Sequence, residues 1–150
     1  MKKAIIAGFA IIIALAFTAD ASAQQMRRGC WGRADRYNRL YDPDTVVTVS
    51  GTVTDIDYFQ PSAGMAEGVH LFLRQPDGTP TEVHLGPRWY IENQDISIDE
   101  GDFVEVTGSR IMFEGEPVVI ASSLRMDGQV LRLRDRQGYP LWAGWRREAN

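Results

Sequence analysis

Apolar and polar residues alternate over most of the chain, which is the pattern of β-strands that bury one face. The first such stretch covers residues 46–58, VVTVSGTVTDIDY, in which valines alternate with threonines and serines. Gly51 interrupts this stretch and predicts a bulge or a sharp bend. Further strands are predicted in GVHLFLR, TEVHL, FVEVTGSRIMF and EPVVIASSLRM. The segment QVLRLR alternates again near the end of the chain.

A short helix is predicted between the third and fourth strands. Gly86-Pro87 ends the third strand, and Pro87 suits the first turn of a helix through Arg88-Trp89-Tyr90-Ile91. Five main strands, a long bent first strand and a helix at this position are the layout of an OB-fold barrel. We therefore predict an all-β fold, a five-stranded OB-fold barrel with a short helix between strands 3 and 4, flanked by N- and C-terminal arms. A small β-sandwich is the alternative.

The hairpin of the second and third strands contains both histidines of the chain, His70 and His84, each within Val-His-Leu. Opposed residues in an antiparallel pair point to the same side, and their numbers add to a constant. The apolar residues of both strands share one inner face only if that constant is even. A three-residue loop, Pro76-Asp77-Gly78, satisfies this condition, so we predict that His70 lies directly opposite His84.

The two histidines are candidate metal ligands. Opposed Cβ atoms lie about 4.5 to 5.5 Å apart, close enough for two imidazoles to share one transition-metal ion. Glu82 and Phe72 lie on the same side of the hairpin, on the outer face where OB barrels hold ligands. His70, His84 and Glu82 therefore form a candidate site for copper, zinc or iron with positions left open. The alternative is a purely structural pair of stacked histidines beside Phe72.

The first 23 residues have the pattern of a secretory signal peptide. Two lysines precede an apolar run from Ala4 to Phe17, and Ala21-Ser22-Ala23 follows it. The run is shorter than the roughly 20 residues that a membrane-spanning helix needs. We predict export to the periplasm, with no membrane span after cleavage. The expected divisions are a signal peptide at 1–23, an N-terminal arm at 24–44, an OB-fold domain at 45–135 and a tail at 136–150.

Charge is unevenly distributed along the chain. Residues 27–39 hold five arginines against one aspartate, and residues 125–150 hold six arginines against three acidic residues. Between them, residues 40–124 hold three arginines against 15 acidic residues. Basic arms therefore flank an acidic body, which argues against nucleic-acid binding. The arms can contact the membrane surface or an acidic envelope protein, or they can fold back on the acidic body.

Each arm contains a further candidate for interaction. In the C-terminal tail, LWAGWRR contains Trp142, Trp145, Arg146 and Arg147, and tryptophan and arginine are favoured anchors of protein interfaces. The alternative is that the tail packs on the barrel, with Trp142 covering an open end. In the N-terminal arm, Cys30 is the only cysteine, either an incidental thiol or half of an intermolecular bridge.

The chain resembles exported OB-fold proteins of Gram-negative periplasms, and most closely the MamS-type magnetosome-associated proteins and their relatives that lack a magnetosome role. The residues that carry the resemblance are GTVTDIDYF, GVHLFLRQPDG, VHLGPRWYI, DEGDFVEVTGSRI and GEPVVIASSL. It extends over roughly residues 37–147. The two His-Leu tripeptides, Gly-Pro-Arg-Trp-Tyr and Trp-Ala-Gly-Trp are its more specific parts. The resemblance implies an envelope location, a non-enzymatic module and a link to metal or redox systems.

No motif for catalysis stands out in the sequence. It contains no Ser-His-Asp or Cys-His pattern with local support and no glycine-rich phosphate loop, so we do not expect an enzyme. The leading hypothesis is an exported OB-fold binding or accessory module of the bacterial envelope, with its ligand or protein partner on the face of strands 2 and 3. The second hypothesis is a metal- or redox-handling periplasmic protein that uses His70 and His84.

Overall fold

The computed structural model describes residues 31–32 and 36–143. The predicted signal peptide at 1–23, Cys30 and the tail residues Trp145, Arg146 and Arg147 lie outside these residues. Among the residues that are described, no helix is both long enough and apolar enough to cross a lipid bilayer.

Six β-strands and one short α-helix make up most of the described chain. The strands are β1 (Val46–Phe59), β2 (Gly68–Arg74), β3 (Pro80–Pro87), β4 (Phe103–Phe113), β5 (Glu116–Met126) and β6 (Gln129–Arg132). The helix α1 (Arg88–Ile91) lies between β3 and β4, as predicted. Single turns of 3-10 helix occur at Asn38–Leu40, Pro43–Thr45 and Leu141–Ala143.

The strands form one sheet, in the order β3-β2-β1-β4-β5-β6, that curls until β3 and β5 meet. Neighbours along the sheet are antiparallel, whereas β3 and β5 pair in parallel, with His84 opposite Ile120. The pairing of β3 with β5 closes the first five strands into a ring. Strand β6 pairs with β5 and lies outside this ring. The ring order and the helix between β3 and β4 define an OB-fold barrel. The predicted fold class is therefore confirmed, and the β-sandwich is excluded.

Strand β1 takes part in both halves of the barrel because it bends near its middle. Residues 46–52 pair with β4, and residues 52–59 pair with β2. The register shift of this strand falls at Thr54, so the bulge lies beyond the predicted position, Gly51. Gly51 has another role: a Cβ atom there would lie 2.6 Å from the backbone oxygen of Arg74. Glycine is therefore required for the close approach of the two backbones.

The inner face of the barrel forms the hydrophobic core. Its members include Val53, Leu71, Leu73, Val83, Leu85, Val104, Val106, Val119 and Leu124, each at most 1% exposed. The members from β2 and β3 occupy alternate positions, so the predicted inward-facing sets of these two strands are confirmed. Removal of this apolar surface from water, at about 25 cal/mol per Å², is the main favourable contribution to folding.

A layer of aromatic side chains covers the outer face of β2 and β3. Trp31 and Tyr37 come from the N-terminal arm, Phe59 and Phe113 from the ends of β1 and β4, and Trp142 from the C-terminal turn. The Trp31 ring meets Tyr37, Phe59 and Trp142 edge-to-face, with 5.3 to 6.2 Å between ring centres. Nε1 of Trp142 donates to the backbone oxygen of Trp31 at 2.9 Å. The described parts of both arms therefore pack on the barrel.

Candidate metal centre

The hairpin of β2 and β3 has the predicted register. His70 lies directly opposite His84. Residues 76–78 form the loop between the strands, and Gly78, with a φ of 88°, supplies the left-handed conformation that a three-residue loop needs. Glu82 lies two positions before His84 on β3 and projects to the same side. The prediction of two opposed histidines beside a carboxylate is therefore confirmed.

Both histidines are buried, whereas the sequence predicted an open ligand-binding face. The exposed fraction is 8% for His70 and 1% for His84. The aromatic layer explains the difference, because Phe59 packs against both imidazoles, with 3.4 and 4.8 Å between ring centres. Tyr37 and Phe113 cover His84 from further sides. The protein's own side chains thus occupy this face of the barrel.

One carboxylate oxygen joins the two histidines. Oε1 of Glu82 lies 2.9 Å from Nδ1 of His70 and 3.0 Å from Nε2 of His84. A carboxylate oxygen accepts hydrogen bonds, so Nε2 of His84 is the donor in its bond to Glu82. Nδ1 of His84 is then an acceptor, and the hydroxyl of Tyr37 donates to it at 2.7 Å. Tyr37, His84 and Glu82 form one hydrogen-bonded chain, and Nδ1 of His70 contacts the same carboxylate oxygen.

His70 has one ring nitrogen that is not used in this chain. Its Nε2 atom is buried and has no hydrogen-bond partner among the residues described. Nδ1 of His70 lies 2.9 Å from Glu82, so Nε2 is the ring nitrogen left without a partner. Buried polar atoms without a partner are rare in folded proteins, and a bound ion or water is a common reason for them. His70 therefore retains an unused ring nitrogen next to the carboxylate.

Burial keeps both imidazoles neutral at pH 7. Loss of solvent lowers the pKa of His84 to about 3, and loss of solvent together with the neighbouring His84 lowers the pKa of His70 to about 4. Glu82 and Asp57 raise the pKa of His70, but their effect is smaller than that of burial. The contacts of Glu82 with the two neutral rings are therefore not ion pairs at neutral pH. Burial also raises the pKa of Tyr37, so its hydroxyl remains protonated.

The cluster has nearly the dimensions of a metal site. His70, Glu82 and His84 each offer one ligand atom, and these atoms lie within 4.8 Å of one another. The ligand atoms of a tetrahedral zinc ion are about 3.4 Å apart. Because the lone pairs of an imidazole lie in the ring plane, one of the two stacked rings has to tilt before both can reach one ion. The side chain of Glu82 is 25% exposed, which leaves an ion a route from solvent.

Trp142 is the one predicted partner-binding residue within the described part of the chain. It is 4% exposed, and its ring lies over Gly86, where a Cβ atom would come within 2.8 Å of it. The structure thus places Trp142 on the barrel, in the alternative role considered for the tail. A role of Trp145, Arg146 and Arg147 in binding a partner stays a prediction.

Three aromatic residues of the site, Tyr37, Phe59 and Phe113, are absent from the sequence-based prediction. The alternation of β4 offers a signal for Phe113, because it shares a face with Ile111. Tyr37 has no such signal. It precedes His84 by 47 residues and lies in an arm without periodic spacing, so its contact with the histidine arises only from tertiary packing.

The barrel and its buried polar cluster define the class of the protein, a small OB-fold binding or accessory module. The chain belongs to the MamS/MamX magnetosome protein family, whose model matches residues 45–131. The predicted resemblance is thereby confirmed. One relative is the magnetosome protein MamS of Paramagnetospirillum magneticum (strain ATCC 700264 / AMB-1), which is 27% identical over 105 residues. The alignment covers 68% of this chain and 57% of MamS, so this chain spans little more than half of that relative.

Two solved structures are also similar to this chain. One is the N-terminal domain of the PriB protein from Thermoanaerobacter tencongensis, with 16% identity and a TM-score of 0.45 over 57% of this chain and 99% of that one. The other is a chain of the S. pombe Stn1–Ten1 complex, with 18% identity and a TM-score of 0.44 over 79% of this chain and 88% of that one. Both are less similar to this chain in sequence than MamS is.

Proposed function

We propose that this chain is an exported accessory module of the bacterial envelope that binds one transition-metal ion through His70, Glu82 and His84. The observation that supports metal binding most directly is the convergence of one carboxylate oxygen and two imidazoles on one point of the hairpin. Imidazole and carboxylate ligands suit zinc, copper(II) and iron. Three protein ligands leave room for water or for a group of a second molecule.

The protonation of the two imidazoles favours this function. A metal ion competes with protons for imidazole nitrogens, and a doubly protonated ring cannot bind it. Both rings are neutral at pH 7 because burial lowers the pKa of His84 and of His70. An ion therefore only has to displace or shift the N–H hydrogens of the two rings.

Tyr37 is suited to support a metal-bound His84. When Nε2 of His84 binds an ion, the ring hydrogen moves to Nδ1, which then donates to the Tyr37 oxygen that lies 2.7 Å away. A metal-bound histidine usually donates its second N–H to an oxygen, and that bond fixes the orientation of the ring. Because a hydroxyl can donate or accept, Tyr37 serves both tautomers of His84.

Negative charge surrounds the entrance that we propose for the ion. Glu82 is the most exposed of the three ligands. Asp57 lies opposite His70 in the ladder between β1 and β2, and its side chain is exposed. Two carboxylates near a partly open position raise the local concentration of cations.

Export and contact with the envelope belong to the same proposal. The signal-peptide pattern of residues 1–23 supports export. Trp145, Arg146 and Arg147 are the proposed contacts with an envelope protein or an anionic membrane surface, since aromatic and arginine side chains suit both. The acidic body at 40–124 argues against nucleic acid as a partner.

Metal-dependent thermal stability tests the metal site. The chain from residue 24 onward is mixed with Zn(II), Cu(II) or Ni(II), and its unfolding midpoint is compared with that of Glu82→Gln. The matched control is Glu116→Gln, the same change at an exposed position of β5. A metal at 100 times its Kd adds about 2.7 kcal/mol, which raises the midpoint of a domain of this size by about 10 °C or more.

We expect this increase for the wild type and for Glu116→Gln, and a much smaller increase for Glu82→Gln. Equal shifts in all three proteins would show binding elsewhere, and no shift in the wild type would show that the cluster does not take up metal. Either result contradicts the proposed function.

A further inference from the structure

Arg134 is a buried guanidinium without an acidic partner. It is 5% exposed, and no carboxylate of the described residues lies within 4.0 Å of it. Its Nη1 and Nη2 atoms donate to the backbone oxygen of Gly138 at 3.1 Å and to the side-chain oxygen of Asn38 at 2.8 Å. Its Nε atom is buried and has no hydrogen-bond partner among those residues. A buried charge is costly unless it is paired.

Aromatic rings offset only part of this cost. The guanidinium carbon lies 5.0 Å from the ring centre of Trp142 and 5.5 Å from that of Tyr41, both within the range of cation–π attraction. Burial lowers the pKa of Arg134 to about 10, so the side chain is still charged at pH 7. Among the described residues, this positive charge therefore has only neutral oxygens and rings as partners, and two of its five N–H hydrogens have acceptors there.

A cavity of about 550 Å³ lies beside this arginine. Its volume is within the range of small-molecule sites. The lining residues that matter here are Arg125, Arg132, Arg134, Arg136 and Ser123. Arg125 also pairs with a glutamate of β4 at 3.6 Å, whereas Arg132 and Arg136 have no ion-pair partner in the described part of the chain.

Among the described residues that line the cavity, Asp135 is the only acidic one, and its carboxylate is already engaged. Oδ1 of Asp135 accepts the backbone N–H groups of Gln137 and Tyr139, both at 2.9 Å. These bonds hold the turn that follows β6, and no ion pair joins Asp135 to an arginine among the described residues. The cavity therefore has an excess of positive charge and of free N–H donors.

We propose that this cavity binds a small oxyanion, a molecule that carries a phosphate or carboxylate group, with Arg134 as its buried ligand. A guanidinium holds two oxygens of such a group at once through parallel N–H bonds. Arg134 lines the cavity and keeps an Nε–H without a partner among the described residues. Arg132 and Arg136 add charge at the exposed rim, and the hydroxyl of Ser123 adds a donor. The lining of this cavity contains none of His70, Glu82 and His84.

Calorimetric titration of the chain from residue 24 onward tests the proposal. The probes are inorganic phosphate and succinate, each titrated at constant ionic strength set with sodium chloride. The variants are Arg134→Gln and Arg132→Gln, and the matched control is Arg110→Gln, which removes the same charge from an exposed position of β4. Comparison of the two probes distinguishes a phosphate ligand from a carboxylate ligand.

We expect saturable binding of one anion per chain, at least tenfold weaker in Arg134→Gln, severalfold weaker in Arg132→Gln and unchanged in Arg110→Gln. If Arg134→Gln does not fold, the Arg132→Gln, Arg136→Gln double variant takes its place, with the same expected loss of about tenfold. The proposal is overturned if neither probe binds saturably. It is equally overturned if Arg110→Gln weakens binding as much as Arg132→Gln does, because the anion then responds only to net charge.

Discussion

The imidazole rings of His70 and His84 lie 3.8 Å apart and 11° from parallel, on neighbouring strands of a closed barrel. Two charged rings at this separation would repel each other, so the stack is stable only while at least one ring is neutral. The aromatic layer maintains that state because it excludes water from both rings. The stability of the fold and the proposed metal chemistry therefore depend on the same pair.

Replacement of His84 by alanine is expected to destabilise the fold more than replacement of His70. His84 bonds to both Tyr37 and Glu82, whereas His70 only contacts Glu82, and its Nε2 has no partner among the described residues. His84→Ala leaves a cavity and two unpaired groups, at a cost of about 4 kcal/mol, against about 2 kcal/mol for His70→Ala. Urea unfolding at pH 7 measures both values. A larger cost for His70→Ala would show that the hydrogen-bond chain is assigned wrongly.

Removal of the Tyr37 hydroxyl is expected to cost about 1 to 2 kcal/mol. In Tyr37→Phe the ring keeps its packing, but Nδ1 of His84 becomes a buried acceptor without its donor. Tyr58→Phe is the matched control, because Tyr58 is 45% exposed. Substitutions at exposed positions usually change stability by less than about 0.5 kcal/mol, so we expect a smaller cost for this variant. Chemical denaturation of both variants at pH 7 provides the test. Equal effects would mean that the Tyr37–His84 bond contributes nothing to stability.

Stability should fall as the pH drops from 6.5 toward 4. The pKa of His84 is lowered to about 3 and that of His70 to about 4 in the folded chain, from 6.5 in the unfolded chain. In this pH range the unfolded state therefore binds more protons than the folded state. The free energy of unfolding is highest above pH 6.5, and it decreases as the pH approaches the pKa values of the two histidines in the folded chain. The loss is on the order of 3 kcal/mol for each of the two histidines at pH 4.

A variant without the two imidazoles separates this effect from the titration of the many carboxylates. We expect the His70→Gln, His84→Gln double variant to lose less free energy of unfolding between pH 7 and pH 4.5 than the wild type. Urea unfolding at the two pH values gives the comparison. Identical losses in the two proteins would contradict the assignment of neutral, buried histidines.

A methyl group at Gly86 is expected to disturb the docking of Trp142. Gly86 has a φ of 146°, and a Cβ atom there would lie 2.8 Å from the Trp142 ring. Gly86→Ala should cost about 3 kcal/mol from backbone strain and overpacking. Gly115→Ala, at a φ of 90° with open space around it, should cost only about 1 to 2 kcal/mol, the strain alone.

The same position allows a double-mutant cycle. In a Trp142→Ala background, Gly86→Ala should cost about as much as Gly115→Ala, because the ring that it would meet is gone. The free energies of unfolding of the four proteins of this cycle give the coupling energy. A coupling energy of zero would be inconsistent with packing of the C-terminal turn on β3.

The register of the β2–β3 hairpin could be predicted because two independent features of the sequence agree. Alternating apolar residues require an even pairing, and the loop at 76–78 has the length and the glycine that produce it. The position of the β1 bulge was predicted less well. The shift of apolar phase toward Ile56 indicates that a bulge exists, but glycine is not required at it, and the structure uses Gly51 for close packing.

The cover over the histidines could not be predicted, because it is made by segments far apart in the sequence. Tyr37 is 47 residues from His84, and Asn38, which helps to bury Arg134, is 96 residues from it. Such contacts depend on how the arms pack on the finished barrel, and the arms have no periodic pattern that would indicate a buried face. The pattern of a strand thus shows which side chains share a face of the sheet, but not whether that face is exposed to solvent.

Metal content of the protein isolated from its native envelope, without added chelator, tests the central claim most directly. We expect elemental analysis by mass spectrometry to find about one equivalent of a single transition metal per chain. We expect the folded Glu82→Gln variant, isolated in the same way, to contain much less, and Glu116→Gln to contain as much as the wild type. A folded wild-type protein free of transition metal, or equal metal in Glu82→Gln, would contradict the account.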